Sequence, residues 1–246
     1  MPLLDHFHPP LSVARHWESF HGLWAGAIVN LLGKGLLPNG YFAEMHVHVG
    51  SRVEIDVATF EKFSASNRSI AAADEGGGVA IAPAAVWAPP AAEMSIPVVF
   101  PDSIEVLVYS GEAGPTLVAA VELISPGNKD RLEAHRAFAA KCATYLHQGI
   151  GLIVVDIVTS RSGNLHNELV ELLDAGSRFL LSPDDLYAIA YRPIRRPNIE
   201  QIDIWPTVLA VGQRLPLLPL SLDKGICLPL DLEPAYGEAC QRSFLP

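Results

Sequence analysis

The chain has 246 residues, half of them hydrophobic and 18% charged, which suits one large α/β domain and excludes wholesale disorder. Seventeen basic against 27 acidic residues give a net charge of −10, so a broad electrostatic footprint for nucleic acid is absent. Lys129, Arg131, Arg136, Lys141 and Arg161 offer a local basic site instead. Three widely spaced cysteines form no disulfide framework or zinc site, and the start lacks a signal-peptide pattern. No stretch approaches the roughly 18 apolar residues of a membrane span. The expectation is a cytoplasmic protein without membrane contact.

Residues 12–33 read as a helix. Val13, Trp17, Phe20, Trp24, Ile28 and Leu31 recur at three- and four-residue steps, and Gly33 and Gly35 end the pattern. His16 and His21 are surface or satisfied core positions on it. Residues 41–49 and 53–57 then alternate strictly, a β-hairpin signal. A three-residue loop at 50–52 sets Val49 opposite Val53, Val47 opposite Ile55 and Met45 opposite Val57, so one face is apolar and buried. A two-residue turn would mix polar and apolar side chains on each face. The other face collects Glu44, His46, His48, Glu54 and Asp56, with His46 opposite Asp56.

The stretch at about 62–95 is rich in Ala, Gly and Pro, an irregular insertion within a single domain spanning 1–246. β character resumes at 98–100 and 104–109. Residues 117–124 form a near-continuous apolar strand, 129–148 a helix with Leu132, Phe138, Cys142, Tyr145 and Leu146 on one side, and 151–158 a second buried strand holding Asp156. Strand, helix and strand without alternation predict a parallel crossover covered on both faces. The tail gives a short helix at 166–173, a hairpin through 187–192 and 202–205 with Arg192, Arg195 and Arg196 at its loop, and a Pro-rich end.

Within VAAVELISPGNK (118–129), Glu122 interrupts an apolar strand. An unpaired buried carboxylate costs several kcal/mol, by an order-of-magnitude estimate. Glu122 therefore requires a cation: a metal ion, or Lys129, Lys141 or an arginine in a scaffold salt bridge. The turn bracketed by Ser125 and Asn128 opens a helix and adds backbone N–H groups suited to a phosphate. His46-Val47-His48 also matches the opening of amidohydrolase metal sites, but the hairpin return after three residues disfavours that barrel.

HWESFHGLW, the hairpin ending in EIDVATFE, VELISPGNK, the helix leading into GIGLIVVDIV and the late PLLPLSLDKGICLPLDL together resemble the uncharacterised family catalogued as domain of unknown function 4058. The likeness runs in order along nearly the whole chain, and the family's name carries no activity. An acid at a strand end, then V-E-L-I-S-P, a helix with lysine and tyrosine, and L-I-V-V-D is similar to Uma-type restriction-endonuclease-like proteins of the PD-(D/E)XK nuclease superfamily. That resemblance implies an α/β fold with a restriction-endonuclease-like core. Its mixed sheet has an N-terminal antiparallel hairpin and helices on both faces. It implies Asp56 as the motif aspartate and Glu122 as the second acid, holding Mg²⁺ (or Mn²⁺) with the Leu123 carbonyl as a further ligand. Glu44, His46, Ser125 and Asn128 are accessory candidates.

In that reading the metal activates a water against a phosphodiester while a lysine stabilises the developing charge, and the partner is nucleic acid. Ile55 stands where the motif has proline, and Ile124 where it has lysine, so Lys129 or Lys141 must supply the cation. Lys129 is expected, because it sits on the turn next to the strand end. An antiparallel crossover helix carries Lys141 three turns further, about 18 Å along its axis. Lys141 has one point in its favour: it lies four residues before Tyr145, where its stem can reach inward. The alternative is a catalytically silent member of the same fold that binds nucleic acid or protein.

Overall fold

A computed structural model describes residues 1–45, 57–61, 90–97, 116–196, 199–223 and 225–245. Two helices replace the one expected over 12–33: α1 (Leu11–Ala14) and α2 (Trp17–Leu31). Arg15 and His16 between them are extended, so the chain turns there. Val13 thereby leaves the apolar stripe and is 79% exposed, whereas Trp17, Phe20, Trp24 and Ile28 are buried as the periodicity predicts. A π-helical turn, Leu32–Leu36, closes the segment at Gly35, whose φ of +108° suits glycine.

Among the described residues seven strands form one mixed sheet. They are β1 (Tyr41–Glu44), β2 (Val57–Glu61), β3 (Met94–Pro97), β4 (Thr116–Leu123), β5 (Gly151–Asp156), β6 (Leu186–Arg196) and β7 (Ile199–Leu209), in the order β1-β2-β4-β5-β6-β7-β3. β4 and β5 pair in parallel, and the other described pairs are antiparallel. The parallel pair is joined by α3 (Leu132–His147), the predicted crossover. α3 begins after a 3₁₀ turn, Pro126–Lys129, rather than at residue 129, and Leu132 is exposed instead of core.

In the hairpin, Tyr41 pairs with Glu61 and Glu44 with Ala58. One more step on each strand sets Met45 against Val57, which is the predicted register. Met45 is nonetheless 43% exposed, because it lies past the last paired residue of an edge strand. Residues 46–56, with the expected loop, His46, His48, Glu54 and Asp56, lie outside the described residues. So do 62–89 of the expected insertion and the strands expected at 98–100 and 104–109.

Both faces of the sheet are covered, which is why β4 and β5 read as continuous apolar runs. Ala119, Val121, Leu123, Ile153 and Val155 face a core shared with α2, a second hairpin of β8 (Leu217–Ser221) and β9 (Cys227–Asp231), and α5 (Leu232–Arg242). Ala120, Ile124, Leu152 and Val154 face the other core, under α3 and α4 (Leu165–Leu172). β8, β9 and α5 occupy what the sequence offered only as a Pro-rich end. The β6–β7 ladder continues to Arg196, so Arg192 is not at a loop but pairs with Asp203 across the ladder at 2.6 Å. Among the described residues no helix is long and apolar enough to cross a membrane.

β8 crosses the start of β5 so closely that a Cβ on Gly151 would collide with the Ser221 carbonyl oxygen. Gly151→Ala should therefore cost about 1–3 kcal/mol or more through overpacking. Gly26→Ala, inside α2 with open space around it, should instead gain about 0.5–1 kcal/mol. Urea denaturation of both variants checks the contrast, and equal effects would contradict this packing.

Candidate functional site

Strand alternation sends the side chains of Glu122 and Asp156 into the layer between the sheet and α3, where they are 1% and 0% exposed. Each meets a lysine from the crossover. Lys141 Nζ donates to Glu122 Oε2 at 2.8 Å, and Lys129 Nζ to Asp156 Oδ2 at 2.9 Å. Both lysines are themselves buried. Breaking such a pair from one side is costly, about 3–5 kcal/mol, because it strands the other charge.

Lys129 is therefore not the partner of Glu122, contrary to the expectation from chain proximity. Glu122 stands level with Val154 in the parallel register, so Asp156 lies two residues nearer the strand ends. The 3₁₀ turn overshoots β4 and leaves Lys129 at the level of Asp156. α3 then runs back over the sheet. The nine residues from Leu132 to Lys141 cover about 13.5 Å at 1.5 Å per residue, which returns Lys141 over Glu122.

The turn itself is closed. Asn128 Oδ1 accepts from Ser125 N (2.8 Å) and Ser125 Oγ (2.9 Å), and Asn128 N donates to the Ser125 carbonyl (3.1 Å). Ser125 and Asn128 thus form a capping box, and these N–H groups do not await a phosphate. Glu44 is exposed on the face opposite Tyr41, the side of Glu122. Its pairing row crosses β2 at Ala58 and β4 at Ala120, so two strand spacings, about 10 Å, separate Glu44 from β4. The Leu123 side chain points into the opposite core, leaving only its carbonyl relevant. Among the described residues no three His, Cys, Asp or Glu side chains gather as metal ligands. His46 and Asp56 lie outside the described residues.

Of the five residues of the expected basic site, three are ion-paired within the chain: Lys129, Lys141, and Arg161 with Asp130 at 3.1 Å. Arg161 also rims a cavity of about 450 Å³ beyond the end of β5, lined by Val158, Thr159, Asp184 and Leu186 among others.

The polar layer extends beyond the residues singled out in the sequence. Asp156 Oδ1 accepts from Val158 N at 3.0 Å, so both its oxygens are engaged. Burial pushes its pKa up and Lys129 pulls it down, with a net rise. Burial and the charge of Glu122 raise the Cys142 thiol, partly offset by Lys141. Tyr187, paired with Asp156 in the β5–β6 register, accepts from His166 N at 3.1 Å. His166 Nε2 lies 2.8 Å from the Phe179 carbonyl, which can only accept, so Nε2 carries the proton and Nδ1 accepts from Tyr191 OH at 2.8 Å. Asp156 carried a readable signal, an acid in an apolar strand like Glu122. The His166 contacts span distant segments and had none.

No family model, curated protein or solved structure matches the chain.

Burial lowers the pKa of His166, and that of His6 to about 4; His6 stacks on Phe20 and meets Tyr236 OH at 2.7 Å. Both are neutral in the folded chain, while the unfolded chain takes up protons first, near the ordinary value of 6.5. Stability is therefore full above that value and falls as pH drops toward the lower folded pKa. The slope should reach up to about 1.4 kcal/mol per pH unit per histidine. Urea denaturation from pH 8 to pH 4, approximate limits chosen to span the window, measures it. His6→Gln and His166→Gln should each remove part of the slope; an unchanged slope in both would refute the assignment.

Proposed function

We propose that the chain belongs with the uncharacterised family it resembles and is a metal-dependent phosphodiesterase of the restriction-endonuclease-like type, acting on nucleic acid. One observation carries the reading: Lys141 and Glu122 meet at 2.8 Å on the inner face of β4. This is the acid–lysine combination the chemistry needs, with the lysine supplied from α3. The pairing of Val57 with Val121 supports it, since it brings the start of β2 beside the position next to Glu122. Asp56, the residue before Val57, is the second acid in this reading. The order of antiparallel β1, β2 and β4, crossover α3 and parallel β5, with helices on both faces, is the order that the nuclease likeness implies.

Mg²⁺ takes one or two carboxylates and several waters, so Glu122, the Leu123 carbonyl and Asp56 suffice to hold it. When bound, the ion supplies an activated water and neutralises phosphate charge. Lys141 adds an ammonium directed at the same developing charge, and the apolar layer around Cys142 keeps its effective dielectric low.

A second reading is the catalytically silent binding member of the same fold. The 1% exposure of Glu122, and the internal pairing of Lys129, Lys141 and Arg161, favour it.

Calorimetric titration with Mn²⁺ and Mg²⁺ distinguishes them: wild type should bind and folded Glu122→Gln should not. With DNA and RNA substrates, Lys141→Ala should abolish cleavage. Lys129→Ala should cost stability, about 3–5 kcal/mol, but retain cleavage well below its melting temperature. Wild type that binds neither ion would move the protein to the binding-module reading.

A further inference from the structure

We propose that the cavity beyond the end of β5 binds a small zwitterion, an α-amino acid with an uncharged polar side chain. This is independent of the metal-dependent reading above. At about 450 Å³ the cavity has the size of a small-molecule site. Its wall holds one cation, Arg161, one anion, Asp184, and the hydroxyl-bearing Thr159, Ser160 and Ser162. It lies where β5 leaves the sheet and β6 enters it, at the carboxyl end of the parallel pair. Open α/β sheets hold their ligands at that end.

Three acids from separate segments hold the loop that forms one wall. Asp156 Oδ1 accepts from Val158 N at 3.0 Å, Asp5 Oδ1 from Thr159 Oγ1 at 2.7 Å, and Asp130 Oδ1 from Arg161 Nε at 3.1 Å. Arg161 NH1 also donates to the Ser160 carbonyl at 3.2 Å, so the guanidinium is fixed by two contacts and its NH2 edge is the part a carboxylate can take. On the other wall Asp185 closes the turn over 182–185, accepting from Ser182 N and donating its own N–H to the Ser182 carbonyl, both at 3.1 Å. Asp184 takes no part in that closure and is exposed at the cavity. With both walls held by the chain, little conformational freedom is lost when a ligand enters.

The charges select the ligand. Arg161 already shares its charge with Asp130, so a simple anion gains little there. Among the described residues Arg161 and Asp184 do not pair with each other, and a ligand carrying both signs satisfies each: its carboxylate on Arg161, its ammonium on Asp184. One cation against one anion also disfavours a polyphosphate. The hydroxyls of Ser160 and Ser162 donate and accept, which suits an amide or hydroxyl side chain.

L-Glutamine and L-serine are titrated calorimetrically into the metal-free chain, beside N-acetyl-L-glutamine, which lacks the ammonium, and L-glutaminamide, which lacks the carboxylate. At least one of the two amino acids should bind saturably. Each blocked form should bind about tenfold more weakly than L-glutamine, or worse, the scale of one charge-assisted contact. Arg161→Gln and Asp184→Asn should each weaken the amino acid by a similar factor. Arg161→Gln should keep its melting temperature, because the Arg161–Asp130 pair is about half exposed and contributes little to stability. Ser162→Trp, which fills the cavity and keeps both charges, should abolish binding; should it not fold, the two charge variants decide. No saturable binding by either amino acid overturns the proposal. So does equal binding by a blocked form, or undiminished binding by Arg161→Gln or Asp184→Asn. Each of these results leaves the phosphodiesterase reading intact.

Discussion

Placing Glu122 and Asp156 beneath α3 costs several kcal/mol per charge unless a cation meets each one, and both cations come from the crossover that covers them. The apolar stripe of Phe138, Cys142, Tyr145 and Leu146 drives the docking, but burial of hydrocarbon is non-directional and tolerates small slides. The ion pairs do not. Rotating α3 by one residue, about 100°, would turn Lys141 away from Glu122 and leave two uncompensated charges in a dry layer. The charges thus act on the register of the helix, and the apolar side chains on its adhesion. Removing all four charges together would test stability very differently from removing one, because the cost lies in the unpaired state.

The crossover was legible because its signals are local. The apolar runs of β4 and β5 and the helical spacing between them fall within some forty residues of sequence, and the hairpin register follows from matching apolar positions across a loop. Pairing inside the site was less legible. Lys141 and Lys129 both precede β5, and sequence distance favours Lys129 for Glu122; only the overshoot of the 3₁₀ turn reverses the order. Val13 follows the helical spacing yet lies outside the stripe, because a break at Arg15 and His16 resets the helix phase. The C-terminal β8, β9 and α5 were obscured by prolines within their apolar runs. A usable sign was there in Asp231, which caps α5 by accepting from Glu233 N.

At the far side of the sheet, β3 covers β7 only from Gln201 to Ile204. Among the described residues the ladder on that side goes no further, although β7 runs on to Leu209 and carries Val208, 54% exposed. A β edge left without a partner can pair with a strand from another molecule. Pro206 stands beyond the β3 pairing, opposite Ile189 of β6, and has no N–H to offer. Pro193 on β6 comes just past Tyr191, the last residue of β6 paired to β5. Both prolines sit where a ladder stops rather than where it runs. For β7 the pairing with β3 takes four positions of that edge, and two residues beyond them Pro206 can donate no hydrogen bond to a further strand.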